Sequence, residues 1–183
     1  MNKTQEKRLR EFINLFSKHG EHGCPTQNEH LFINGHAMLW CNYSLKDYTR
    51  STRANGKRLI TEFYRESSNT LYLDPKIVLD ALKKKKEEFI SLGVDKDTKL
   101  AYMRIGEEGA PIWISKDLIN YRYHSTDFEE IFINLKYFKK SIELVKAFDG
   151  SGKILIKSQG KYKPLLIQGD RLLVMVAPMR INK

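Results

Sequence analysis

Imidazole and thiol groups crowd one short stretch of this chain, at His19, His22, Cys24, His30 and His36, and these are the side chains that hold zinc. Convincing zinc sites carry paired spacings such as Cys-x-x-Cys or His-Glu-x-x-His, which set two ligands on one turn or one helix face. His19-x-x-His22-x-Cys24 has neither and sits among glycines in a loop-like stretch, so no metal is expected. Carboxylates offer a second chemistry, because two-metal phosphodiester cleavage needs several of them converging. Asp127, Glu129 and Glu130 are close in sequence but fall in a connector, where capping or solvating a turn is the simpler role. The sequence has no phosphate loop of the form G-x-x-x-x-G-K-S/T, and Glu107-Glu108 between Gly106 and Gly109 reads as a turn. No catalytic residue and no cofactor is assigned, and the chain is not expected to be an enzyme.

The abundant chemistry is cationic. Over 183 residues, 32 Lys and Arg stand against 22 Asp and Glu, a net charge of +10, which favours a polyanion through long-range attraction and counterion release. Nucleic acid is the expected partner. Lys3, Lys7, Arg10, Asn14 and Lys18 fall on one helical stripe opposite Phe12 and Phe16. Farther on, Lys136, Lys139, Lys140 and Lys146 lie opposite Leu135, Phe138, Ile142 and Val145, diluted by Glu143. Between them, Lys76 and Lys83 share a face with Asp80 and Glu87. On any single helix such lysines need only keep a surface soluble; three helices together weigh toward phosphate contact. Lysines without Asn, Gln or Arg clusters suited to base edges position a duplex without reading it.

The elements that must carry these charges follow from periodicity. A helix is expected from about Thr4 to His19, then a hairpin over Leu31 to Cys41 turned by Asn34-Gly35, then a strand at Leu59 to Tyr64. A second unit opens with a strand at Thr70 to Leu73, followed by Asp74 as cap and Pro75 at the first helical position. Its helix is expected to reach Ser91, with the Lys83 to Glu88 charge run as a solvated extension, ahead of strands at Leu100 to Ile105, Ala110 to Ser115 and Asn120 to His124. The third unit has a strand at Ile131 to Ile133, Asn134 as cap, a helix over Leu135 to Phe148 and strands at Lys153 to Lys157, Tyr162 to Ile167 and Leu172 to Val176.

The order repeats as strand, helix, then three strands, about three times, with the first leading strand missing. An α+β fold with helices on one face of antiparallel sheets is implied. Residues 1–127 are expected to form one domain of two units, 1–67 and 68–127, with 128–183 as a half domain. The apolar share of 41% supplies a core. The N-terminal stretch lacks the apolar run of a signal peptide, and Leu172 to Met179 is too short to cross a bilayer. A cytoplasmic protein with unpaired Cys24 and Cys41 and no membrane association is expected.

The segment Ile133-Asn134-Leu135-Lys136-Tyr137-Phe138, with Ile142 and Leu144 beyond it, and the ending Leu173-Val174-Met175-Val176-Ala177-Pro178-Met179-Arg180-Ile181 resemble the end of the bacterial DNA polymerase III beta subunit. That family has an F-N-x-x-Y-L helix start and closes on M-P-M-R-L. The match covers about the last 50 residues; Ala177 replaces the first Met, and Asn182-Lys183 extend the tail. The resemblance implies a DNA sliding clamp, in a shortened form of the kind a bacteriophage would encode in a bacterial host, associated with the nucleoid. Such clamps are rings of twelve strand-helix-strand units whose helices line a positive hole, so three units per chain imply a homotetrameric ring closed by edge strands. It further implies a groove at the C-terminal strand for short peptides of a polymerase and other replication proteins. Met175, Val176, Pro178 and Met179 match that stretch, although Met175 and Val176 also read as core strand residues. The competing reading is a monomeric clamp-like module that binds nucleic acid or modulates host replication.

Overall fold

The computed structural model describes residues 1–16, 20–26, 29–43, 45, 69–98, 100–115, 130–149, 152–169 and 171–181. Helix α1 (Lys3–Ile13) starts at a reciprocal cap: Asn2 accepts from the Gln5 N–H, and the Gln5 side chain accepts from the Asn2 N–H. It buries Leu9, Phe12 and Ile13, then tightens into a 3-10 turn at Asn14–Phe16, short of the expected end at His19. Strands β1 (Glu21–Thr26), β2 (Glu29–Ile33) and β3 (Ala37–Cys41) follow. The Asn34-Gly35 hairpin is as expected, with Asn34 Oδ1 accepting from the N–H groups of His36 and Ala37. β1 was not expected, because Gly23 and Pro25 read as loop residues; pairing with β2 makes it an edge strand, where proline is tolerated.

The second unit is β4 (Asn69–Leu73), α2 (Pro75–Ala81), β5 (Phe89–Val94), β6 (Ala101–Ile105) and β7 (Ile112–Trp113). Asp74 caps α2 by accepting from the N–H groups of Lys76 and Ile77. The expected helix through Ser91 is corrected: α2 stops at Ala81, and the Lys83 to Glu88 run is a turn leading into β5. The reason is period: Ile90, Leu92 and Val94 point into the core while Phe89, Ser91 and Gly93 take the other face. Tyr102 lies over Gly93, where a Cβ would sit 2.4 Å from the ring. The expected strand at Ala110 to Ser115 contracts to Ile112–Trp113, and Gly106 turns at φ 71° before it. The strands expected at Leu59 to Tyr64 and Asn120 to His124 lie outside the described residues.

In the third unit β8 (Ile131–Asn134), α3 (Leu135–Phe148), β9 (Ile154–Ser158), β10 (Leu165–Gln168) and β11 (Leu172–Val176) follow the expected order. Asn134 caps α3 by accepting from the N–H groups of Lys136 and Tyr137.

All strand pairs are antiparallel, in one sheet ordered β1-β2-β3-β11-β10-β9-β4 and another ordered β7-β6-β5-β8. β4, which opens the second unit, pairs with β9 of the third, and β8, which opens the third, pairs with β5 of the second. The exchange ties residues 128–183 to the unit before them, across the expected division at 127/128. Helix α3 touches both α1 and α2 and packs on strands of both sheets. The fold is α+β, with helices over antiparallel sheets and one main core beneath α1 and α3.

A smaller cluster lies on the opposite face of the seven-stranded sheet, built by Leu31, Met38, Leu166, Leu173 and Met175 with Ile33 and Trp40 at its margin. Cross-strand register creates it, since Met175 faces Met38 and Leu173 faces Trp40.

Candidate nucleic-acid and peptide interfaces

The outward face of the helical layer carries the charge. Lys3, Lys7, Arg10, Lys76, Lys83, Lys136 and Lys146 are exposed, and Lys139 and Lys140 are half-buried; Lys18 lies outside the described residues. The structure sorts them by what they touch. Arg10 pairs with Glu6 one turn earlier at 3.0 Å. Lys140 reaches from α3 toward α1 and meets Glu11 at 2.9 Å and Glu143 at 3.0 Å. Arg8 completes that group, at 2.8 Å from Glu11 and 2.9 Å from Glu143. Partial burial pushes the Lys140 ammonium down, but its hydrogen bonds to Glu11 and Glu143 outweigh this and raise its pKa. Lys139 reaches the other way and donates to the Leu82 carbonyl at 3.1 Å, joining α3 to the end of α2.

Lys3, Lys7, Lys76, Lys83, Lys136 and Lys146 make no ion pair among the described residues. Lys84, Lys85 and Lys86 share that state and are exposed, yet sequence reasoning left them aside as a helix extension. The signal was available: four consecutive lysines at a helix C-terminus complement its unsatisfied carbonyls and favour an ending there.

The C-terminal residues separate into two environments. Val176 is fully buried in the main core, and Met175 belongs to the cluster on the other face, 8% exposed. Beyond the strand, the Ala177 N–H donates to the His36 carbonyl at 2.8 Å and the Met179 N–H to the Phe132 carbonyl at 2.7 Å, while Pro178 bridges to Ile133. Pro178 and Met179 are therefore half-buried residues on a tail pinned between the β2–β3 turn and β8. Asn34 braces the turn through its Nδ2 group, which donates to the Leu15 carbonyl and to the Tyr137 hydroxyl. His36 lies against the Tyr137 ring with centroids 5.6 Å apart. Asn34, His36, Met38, Trp40 and Tyr137 were not singled out as site residues; the β3–β11 register sets Met38 and Trp40 against Met175 and Leu173, and the Ala177–His36 hydrogen bond brings the hairpin turn to the tail.

Among the described residues, two of the metal-ligand candidates come together and a third lies apart. His22 and His30 stack on each other and on Phe32, with His22 Nε2 3.1 Å from His30 Nδ1, whereas His36 lies at the hairpin turn. His19 and the Cys24 side chain lie outside the described residues. Burial pushes both His22 and His30 down from the usual imidazole range, and His22's charge adds to the effect on His30. Glu130 accepts from Ser91 Oγ at 2.7 Å and lies 3.6 Å from Arg104; Asp127 and Glu129 are outside the described residues. No described helix is long and apolar enough to cross a membrane.

No family model matches the sequence, and no curated protein matches it. Solved structures do match the fold. The DNA polymerase III beta subunit of Borrelia burgdorferi is 13% identical, with a TM-score of 0.65 over 98% of this chain and 63% of that one. The Pseudomonas aeruginosa beta subunit is 12% identical, with a TM-score of 0.61 over 97% of this chain and 65% of that one. The Helicobacter pylori beta clamp, solved with a DNA ligase peptide, is 16% identical, with a TM-score of 0.53 over 96% of this chain and 44% of that one. The fold is that of the sliding clamps, and this chain spans less than two thirds of the first two of these proteins.

Proposed function

We propose that the protein works as a DNA sliding clamp: a non-enzymatic processivity factor that holds duplex DNA without reading its sequence and tethers replication proteins. The observation that carries this reading is a clamp-type fold whose helical layer turns outward lysines that make no ion pair among the described residues, Lys3, Lys7, Lys76, Lys83, Lys136 and Lys146. Phosphates are met there by mobile ammonium groups, so contact is screened by water and salt and permits lateral motion. Lys139 and Lys140 hold the layer together, and Arg10, paired with Glu6 within α1, adds to its field.

The partner surface is the pinned tail at Pro178 and Met179 together with the Met38, Trp40 and Met175 cluster, where flexible thioethers accommodate short apolar peptides. Val176 supports that surface from the core side. The Helicobacter pylori clamp's peptide complex favours this reading. The strand exchange favours grouping 68–127 with 128–183 as one complete clamp domain, with 1–67 as an attached half. Three units per chain make a homotetramer the assembly that reaches twelve, in the cytoplasm of a bacterial or phage-infected cell. The competing reading is a monomeric open clamp-like module that modulates replication.

Retention on circular against linearised plasmid separates these. A ring persists on the closed circle at moderate salt and runs off the linear form; equal loss from both, with monomer by light scattering, would leave the open module standing.

A further inference from the structure

The Lys83–Lys86 turn is more than a solvated helix end. Lys83 donates its N–H to the Asp80 carbonyl, and Lys85 donates to that of Leu82 at 3.5 Å, while Lys84 adopts φ 64°. That left-handed position after a helix is usually filled by glycine, because a side chain there costs about 1 kcal/mol. Both ends of the turn are fastened to α3. At the start, the Leu82 carbonyl receives the Lys139 ammonium; at the finish, the Glu88 carbonyl receives the Leu135 N–H at 2.9 Å. The turn is thus clasped against the first turn of α3, where Lys136 is exposed and unpaired among the described residues.

Five exposed lysines, Lys83 to Lys86 and Lys136, therefore lie on segments joined by the Leu135–Glu88 hydrogen bond at one end of the helical layer, with Asp80, Glu87 and Glu88 as the neighbouring carboxylates. The Glu87 side chain accepts from the Lys86 backbone N–H at 2.9 Å, which turns one carboxylate toward the chain. Elsewhere on the layer, the ionic group of Arg8, Glu11, Lys140 and Glu143 is internally balanced. Free cationic charge is concentrated at the turn.

We infer that the Lys83–Lys86 turn, with Lys136, is the principal phosphate-backbone contact of this protein, gripping duplex DNA at one end of the helical layer more strongly than the α1 stripe does. The inference rests on the DNA-binding reading and deepens it by locating the contact. Each ammonium that displaces a condensed counterion contributes about 0.9 to the slope of log affinity against log salt.

The test is fluorescence anisotropy with a short labelled linear duplex of arbitrary sequence, titrated over a series of sodium chloride concentrations. Replacing Lys83, Lys84, Lys85 and Lys86 by glutamine should lower the slope by about two or more and weaken binding at least about tenfold at low salt. The Lys3→Gln, Lys7→Gln pair should lower it by less, and arginine at all four turn positions should restore it. A turn variant that keeps the wild-type slope and a wild-type melting curve overturns the inference while leaving DNA binding intact. Wild-type protein that neither binds the short duplex at low salt nor is retained on closed circular plasmid removes the DNA reading itself. If the turn variant melts early, Lys136→Gln and Lys85→Gln, each on an exposed side chain, must each reduce the slope, and failure to do so counts against the site.

Discussion

Glu11 of the first helix and Lys140 of the third meet at 2.9 Å across the helix interface, 129 residues apart in sequence. The Lys140 hydrogen bond, reinforced by Arg8, holds the Glu11 carboxyl below its ordinary value against the opposing effect of burial. Arg8, Glu11, Lys140 and Glu143 alternate in sign, so each carboxylate screens two cations that would otherwise repel. A double-mutant cycle with Glu11→Ala and Lys140→Met should give a coupling of about 0.5–1 kcal/mol, the upper range for partly exposed pairs. Glu143→Ala should cost about 1–2 kcal/mol, because the less exposed carboxylate is lost and Arg8 and Lys140 are left to share Glu11. Urea unfolding at low and high salt checks both; equal values at the two salts would show that charge is not what joins the helices.

Acid should loosen the β1–β2 edge. His30 Nε2 accepts from the Leu45 N–H at 3.4 Å, so its Nδ1 carries the proton and donates to His22 Nε2. A second proton on either ring removes an acceptor. Both folded values are depressed below 6.5, so the unfolded chain takes up protons first as pH falls. Stability from the pair is complete above about pH 6.5 and declines below it, toward the lowered folded values. The melting temperature should be level from about pH 8 to 7 and drop by pH 5.5. His22→Phe, which keeps the stacking, should flatten that drop, and an unchanged slope would assign it to other groups.

Asn34 is the joint between the hairpin, α3 and the 3-10 turn after α1. Its carboxamide makes four hydrogen bonds, to Leu15, Tyr137, His36 and Ala37. Asn34→Ala should cost about 1–2 kcal/mol, since partly buried partners are left unmet. Tyr137→Phe, losing a single acceptor, should cost about 1 kcal/mol or less. Thermal denaturation of the two variants gives the comparison, and equal losses would place the burden on the Tyr137 hydroxyl.

Peptide capture should depend on the exposed margin of the C-terminal cluster. Met179→Glu, on a half-buried tail residue, should weaken binding of a short apolar polymerase-derived peptide by about tenfold or more with little change in melting. Trp40 should report the same peptide by a fluorescence shift in the wild type. A silent Trp40 and an unaffected Met179→Glu variant would place the peptide elsewhere.

Much of this arrangement was legible in the residues. Asp74-Pro75 and Asn134 marked two helix starts because their caps are local chemistry, and Asn34-Gly35 marked the hairpin for the same reason. The α3 lysines were found by spacing, but their partners were not: that Lys140 serves Glu11 and Lys139 serves Leu82 depends on helix packing, which periodicity does not encode. Phe89 to Ser91, the start of β5, was taken for helix because the lysine run before it is as helix-compatible as it is turn-compatible. β1 was missed because Gly23 and Pro25 disfavour a strand except at a sheet edge. Val176 and Met175 could be matched to a motif, whereas which face each occupies was set by the register with β3.

The exchange of β4 and β8 has a temporal cost. A chain emerging from the ribosome makes β4 long before β9 exists, and β5 stays without β8 until the third unit begins. Two sheets must then wait for late arrivals, which exposes strand edges during synthesis and slows closure, as distant pairings generally do. Nascent-chain protease resistance should rise abruptly only after α3 and β9 have left the exit tunnel, and ribosome-stalled shorter products should depend on chaperones to stay out of aggregates.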